Sequence, residues 1–195
     1  MADPDKKRQK STPAPVNGPL NWAVRLADSG YVVADADTPA EVAALKDYLA
    51  AAYGTTAVPG PTVVTPGTTD GAHTGGGHWW FRLPKGMTVD PAKAPAVIKV
   101  PVDGHEAGFS LYVGNAYVLI PPSVREPGPY HLVGPDNPAP PVMVDMLTDM
   151  LKQAEKRAAE RADYERRAAA GELGGLAQQV EVCLLYTSPS PRDRT

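Results

Sequence analysis

Three short stretches of the chain combine residue types and spacings that could do chemistry. The first is Asp35-Ala36-Asp37, at the end of the apolar run Tyr31-Val32-Val33-Ala34. On an extended strand residues i and i+2 point to the same face, so both carboxylates can converge on one divalent cation. Their hard oxygens suit Mg²⁺ or Mn²⁺, particularly where a substrate adds phosphate oxygens. Taken alone, the pair reads equally well as solvated turn and cap acids. The second stretch is Thr74-Gly75-Gly76-Gly77-His78, leading into Trp79-Trp80-Phe81. Glycines let a backbone approach bound phosphate and aim N–H groups at it. His78 can add a hydrogen bond, or a positive charge when protonated. A flexible turn with a surface histidine is the plainer reading. The third is the run Tyr117 to Ile120, then Pro121-Pro122-Ser123, Val124-Arg125 and Gly128-Pro129-Tyr130. Arg125 offers phosphate a planar fork of donors, although a core strand, a rigid turn and a surface arginine would look the same.

Local patterns say what must position these residues. Strands are expected over residues 21–26, 31–34, 61–65, 78–83, 96–100 and 130–133, and a hairpin over 109–113 and 117–120 around Gly114-Asn115. Thr38 is a natural N-cap, with Pro39 at the first helical position and Glu41 completing a capping box. Val42, Leu45, Leu49 and Tyr53 recur at helical spacing, which predicts a helix over 39–53 ended by Gly54. Residues 134–141 form a Pro-rich connection. From Val142 onward, Met143, Met146, Leu147, Met150, Leu151 and Ala154 repeat at helical spacing before an almost wholly charged run over 155–167. The first half of that helix is expected to pack on the domain and the second to project into solvent.

Bulk composition excludes several classes. The chain has 195 residues, one cysteine, 22 prolines and 18 glycines, which points to one domain of short elements rather than a helical bundle. A net charge of −3 gives no general attraction to nucleic acid, so any phosphate contact has to be local or metal-mediated. No stretch is apolar enough to span a bilayer and the polar N-terminus is no secretory signal, so a cytoplasmic protein is expected. With Cys183 alone there is no disulfide framework or cysteine-rich zinc site. Residues 183–193 resemble a translated sequencing adapter, as in truncated metagenomic reading frames. The natural chain is therefore expected to continue past Val182, and Cys183 carries no functional weight.

In this order, the three stretches resemble the prim-pol (bifunctional DNA primase/polymerase) branch of the archaeo-eukaryotic primase superfamily. The matching residues are Val32 to Asp37, Gly75 to His78 with Trp80-Phe81, and Tyr117 to Ser123 with Tyr130 beyond. The resemblance implies an α+β fold (an α/β core) with a divergent RNA-recognition-like sheet, here followed by a C-terminal helix. With the local patterns, the expected organisation is a leader over 1–19, a prim-pol-like catalytic core over 20–135 that the resemblance covers, a Pro-rich linker over 136–141, a charged amphipathic helix over 142–170, a tail over 171–182 and the adapter-like end over 183–195. Asp35 and Asp37 would hold Mg²⁺ or Mn²⁺ and, with His78, form the catalytic set. Gly75, Gly76, Gly77, His78, Ser123 and Arg125 would bind the nucleotide. The family's third metal-binding carboxylate falls at Ser110, a neutral hydroxyl, so Glu106 or Asp103 is the carboxylate expected to reach in.

The implied function is metal-dependent joining of nucleoside triphosphates on a DNA template, in a bacterial or phage-infected cell, with a helicase domain or protein as a further partner. One alternative is a degenerate prim-pol fold that binds nucleic acid or a replication partner, with Trp79, Trp80 and Tyr117 as candidate base platforms. Another is a sugar-nucleotide glycosyltransferase, which would also use a DxD but gains nothing from the other two stretches.

Overall fold

The run Tyr31–Ala36 is apolar on both faces of its pleat, and a strand of that kind is stable only with a layer on each side. The computed structural model describes residues 20–54, 58–71 and 73–172. The expected leader, the tail beyond Glu172 and the adapter-like end lie outside the described residues. In chain order the elements are β1 (Trp22–Arg25), β2 (Tyr31–Ala36), α1 (Pro39–Tyr53), β3 (Val63–Val64), β4 (Gly77–Arg82), β5 (Val97–Val100), β6 (Phe109–Tyr112), β7 (Tyr117–Ile120), β8 (Val124–Arg125), β9 (Gly128–Pro129), β10 (His131–Leu132), β11 (Asn137–Pro138) and α2 (Pro141–Ala169).

β2 lies inside a seven-stranded sheet ordered β10-β3-β4-β2-β6-β5, with β11 pairing β4 as well. All pairs are antiparallel except β11 with β4. β3 covers β4 at Gly77 and His78, while β11 covers the same strand at Phe81 and Arg82. The fold is α+β. Alternation along β2 sends Val32, Ala34 and Ala36 to one face, where they meet Leu45 and Leu49 of α1 and Met143 and Leu147 of α2. Val33 goes to the other face, beneath Leu26, Ala116 and Val118 of the β1–β7 region. The sheet is thus sandwiched between two helices and a two-stranded ribbon.

The ribbon corrects one expectation. β6 and β7 are not a hairpin: β6 pairs β2 and β5 in the main sheet, whereas β7 crosses to pair β1. Phe109, Ser110 and Leu111 of β6 are buried within the sheet, and β7 takes its partner from β1 instead. Helix α1 forms where its spacing predicts, closed by the capping box, in which Thr38 Oγ1 accepts from the Glu41 N–H at 3.2 Å. In α2 the buried residues are Met143 and Leu147, and residues beyond Ala154 are mostly exposed, as its pattern predicts. The Pro-rich connection is tied down by β11, by the Ala139 N–H on the Arg82 carbonyl at 2.8 Å, and by an Arg82–Asp136 ion pair at 3.1 Å. Among the described residues no helix is long and apolar enough to cross a membrane.

Candidate metal and nucleotide site

Strand register builds the site. Asp35 on β2 stands opposite His78 on β4 and opposite Ser110 on β6. Paired residues share a face, so these side chains project together on the ribbon side of the sheet. Asp37 follows two residues on, immediately before the N-cap of α1. It is backed by Gly76, where a Cβ would come within 2.7 Å of the Ala36 carbonyl and 2.9 Å of the Asp37 Cα. Glycine is required there because two backbones touch. Across the opening, the loop after Thr65 turns at Gly67 (φ +75°), whose backbone meets that of His73, and the His73 N–H is held by Thr68 Oγ1 at 3.2 Å. That loop sets His73 Nδ1 3.6 Å from Asp37 Oδ2.

Between these elements lies a cleft of about 250 Å³, lined by Asp35, Asp37, Thr65, His73, His78, Tyr112, Tyr117, Arg125 and Tyr130, among others. Six buried side-chain polar atoms among the described residues lack a hydrogen-bond partner, and four of them belong to residues lining this cleft: Asp35 Oδ1, Thr65 Oγ1, His73 Nδ1 and His78 Nδ1. Each such orphan costs about 1–3 kcal/mol unless water, an ion or a ligand partners it, so their cluster marks this cleft as the candidate binding site.

The electrostatics point the same way. Asp35 is 8% exposed, and burial, then the Asp37 and Glu41 carboxylates, push its pKa up to about 7. The Tyr112 hydroxyl and the Lys99 charge pull the other way without offsetting this. Burial takes His78 down to about 4, against the weaker opposing effect of the Leu119 backbone, so its ring is neutral at pH 7. His78 Nε2 stands 3.4 Å from Asp35 Oδ1, but a neutral ring makes no ion pair with it. A divalent cation would relieve the crowded acids, and neutral imidazole can donate to phosphate or ligate metal.

Comparison with known families decides what lineage this geometry belongs to. The family model for "Bifunctional DNA primase/polymerase, N-terminal" (Prim-Pol) matches residues 1–142. The chain belongs to the Prim-Pol family. No curated protein and no solved structure matches it.

Of the residues the Prim-Pol resemblance singled out, the structure brings Asp35, Asp37, His78 and Arg125 to one cleft. Gly75, Gly76 and Gly77 do not line it. Gly76 and Gly77 sit against the backbones of Ala36–Asp37 and Val63, so they shape the wall behind the carboxylates. Ser123 is fully buried, its Oγ accepting from the Trp22 N–H at 2.7 Å and donating to the Trp22 carbonyl at 2.9 Å. It clasps β1. Asp103 and Glu106 lie in the loop between β5 and β6 and neither lines the cleft. Among the described residues no three His, Cys, Asp or Glu side chains gather to hold a metal. Trp79 is buried with its Nε1 on the Pro59 carbonyl at 3.0 Å, and Trp80 is half-buried, whereas Tyr117 is 64% exposed at the cleft.

Sequence reading missed His73, Thr65 and Tyr112. His73 had a signal, being a second histidine in the same Gly/Thr-rich loop as His78. Thr65 and Tyr112 had none, because only the pairing of β3 and β6 into the sheet brings them to the cleft.

Proposed function

We propose that this Prim-Pol chain is a metal-dependent nucleotidyltransferase of the DNA primase/polymerase type, joining nucleoside triphosphates on a nucleic-acid template. The observation that carries the reading is the cleft itself, where two carboxylates face two histidines and an arginine with four buried polar atoms unsatisfied. Asp35 and Asp37 would hold a Mg²⁺ or Mn²⁺ ion, and the orphaned Asp35 Oδ1 and the raised pKa of that carboxyl fit such a ligand. When bound, the cation supplies charge neutralisation on the triphosphate and acidifies the attacking hydroxyl. The neutral His78 ring donates to a phosphate oxygen, Arg125 takes another with its planar fork, and Tyr117 offers its exposed ring to the base. Catalysis by such a site is chiefly positioning and preorganised charge. The sheet, with Asp35 on β2 and Asp37 just beyond it, is read as the divergent RNA-recognition-like core of archaeo-eukaryotic primases. A DNA template and a helicase are the macromolecular partners such an activity calls for.

One observation favours a second reading, a Prim-Pol fold that binds nucleic acid without synthesis. Where a third carboxylate would complete the set stands Ser110, and its hydroxyl is engaged by Lys99. Primer synthesis and extension on single-stranded DNA, with labelled deoxynucleotides and Mn²⁺, separates the two. Product with wild type and none with Asp37→Asn supports the enzyme. Template binding without product from the wild type selects the second reading.

A further inference from the structure

The strand registers place His78, Asp35, Ser110 and Lys99 in one row across four neighbouring strands. Within that row Asp35 is the carboxylate. Its neighbour on β6 is a buried hydroxyl, and Lys99 Nζ on β5 donates to that hydroxyl at 2.6 Å. On the open side, Asp37 is the second carboxylate lining the cleft. Glu41 is close enough to act on Asp35, but its Oε2 already accepts from the backbone N–H groups of Asp37 and Thr38, each at 3.0 Å. Asp35 and Asp37 are therefore the two carboxylates placed to ligate in the cleft, which Glu41 does not line.

A second ion in a two-metal site stands about 3.5–4 Å from the first. Bridged through Asp35 toward β6, it would meet a neutral hydroxyl and an ammonium, which has three donors and no acceptor and repels cations. We propose that this site takes a single divalent cation, and that Lys99, pinned by Ser110, is the fixed positive charge on the β6 side of Asp35. The inference rests on the metal-site reading above and narrows it. Lys99 is a positioning residue in this account: it acts on the cation site through charge and through Ser110 and lies outside the cleft lining.

The test is the stoichiometry of Mn²⁺ alone on the full chain at pH 8, followed by the paramagnetic resonance of the free ion. Asp35→Asn/Asp37→Asn serves as the blank for weak surface binding. One ion per wild-type chain above that blank is expected. Lys99→Met should keep one ion but bind it several-fold tighter, because the opposing ammonium is gone. Ser110→Asp/Lys99→Met should take two. Two ions on the wild type would overturn the single-cation proposal and leave the metal site standing. No ion on the wild type would overturn the metal-site reading itself, and this inference with it. Equal Mn²⁺ affinity in the wild type and Lys99→Met would remove Lys99 from the account. Lys99 is exposed, so that variant keeps the test decisive even where the buried Ser110→Asp change prevents folding.

Discussion

At the scale of residues, Asp35 and His78 carry opposite burdens. An aspartate ionises near 3.8 when unfolded, but Asp35 does so near 7 in the fold. Between those values the folded chain keeps a proton that the unfolded chain releases, so its contribution to stability falls as pH rises through the window. His78 runs the other way, from 6.5 down to about 4, so the unfolded chain takes up the extra proton and stability rises with pH across that range. In the metal-free protein the two slopes nearly cancel between pH 4 and 6.5. Asp35→Asn leaves only the histidine slope. Its metal-free stability should climb with pH across that window and, at pH 8, exceed wild type by roughly 4 kcal/mol, at about 1.4 kcal/mol per pKa unit. Urea unfolding at several pH values measures this, and superimposable profiles would show that Asp35 is not held protonated by the fold.

The scale of elements explains which parts of the site could be read beforehand. That Asp35 and Asp37 line one cleft was legible because strand alternation is a local rule, and α1 because Thr38, Pro39 and Glu41 form a local cap. The partners of β7 were not legible. Gly114-Asn115 has the composition of a tight hairpin, yet β7 pairs β1, whose residues lie far back in the chain. Ser123 misled for a similar reason, since its hydroxyl is bound by Trp22, a partner no local pattern reveals. The glycine run was legible as special but not for its cause. Gly76 is small because the backbone of Ala36 and Asp37 leaves no room for a Cβ. Gly76→Ala should therefore cost about 1–3 kcal/mol, the usual range for overpacking, and weaken Mn²⁺ binding by displacing Asp37. An alanine variant with unchanged stability and Mn²⁺ affinity would mean that this contact does not place the carboxylate.

For the whole molecule, the two layers have separate jobs. The helices close one face of the sheet over Val32, Ala34 and Ala36, and the ribbon covers the other face while its own residues line the cleft. Only the first part of α2 belongs to that core. Leu147→Ala should cost about 2–5 kcal/mol, as large-to-small core changes do, whereas Tyr164→Ala in the exposed part should stay within about 0.5 kcal/mol. Equal losses in chemical denaturation would mean that the charged half of the helix is packed as well. A net charge of −3 gives the molecule no general attraction to nucleic acid, so on the proposed reading a bound cation would be what makes the cleft hospitable to a triphosphate. The most direct test of that claim is equilibrium binding of dATP to the full chain with and without Mn²⁺, beside Asp37→Ala. Binding that appears only with Mn²⁺ and is lost in the variant is the expected result. Equal binding with and without the ion, or in both proteins, would contradict a metal-built nucleotide site at Asp35 and Asp37.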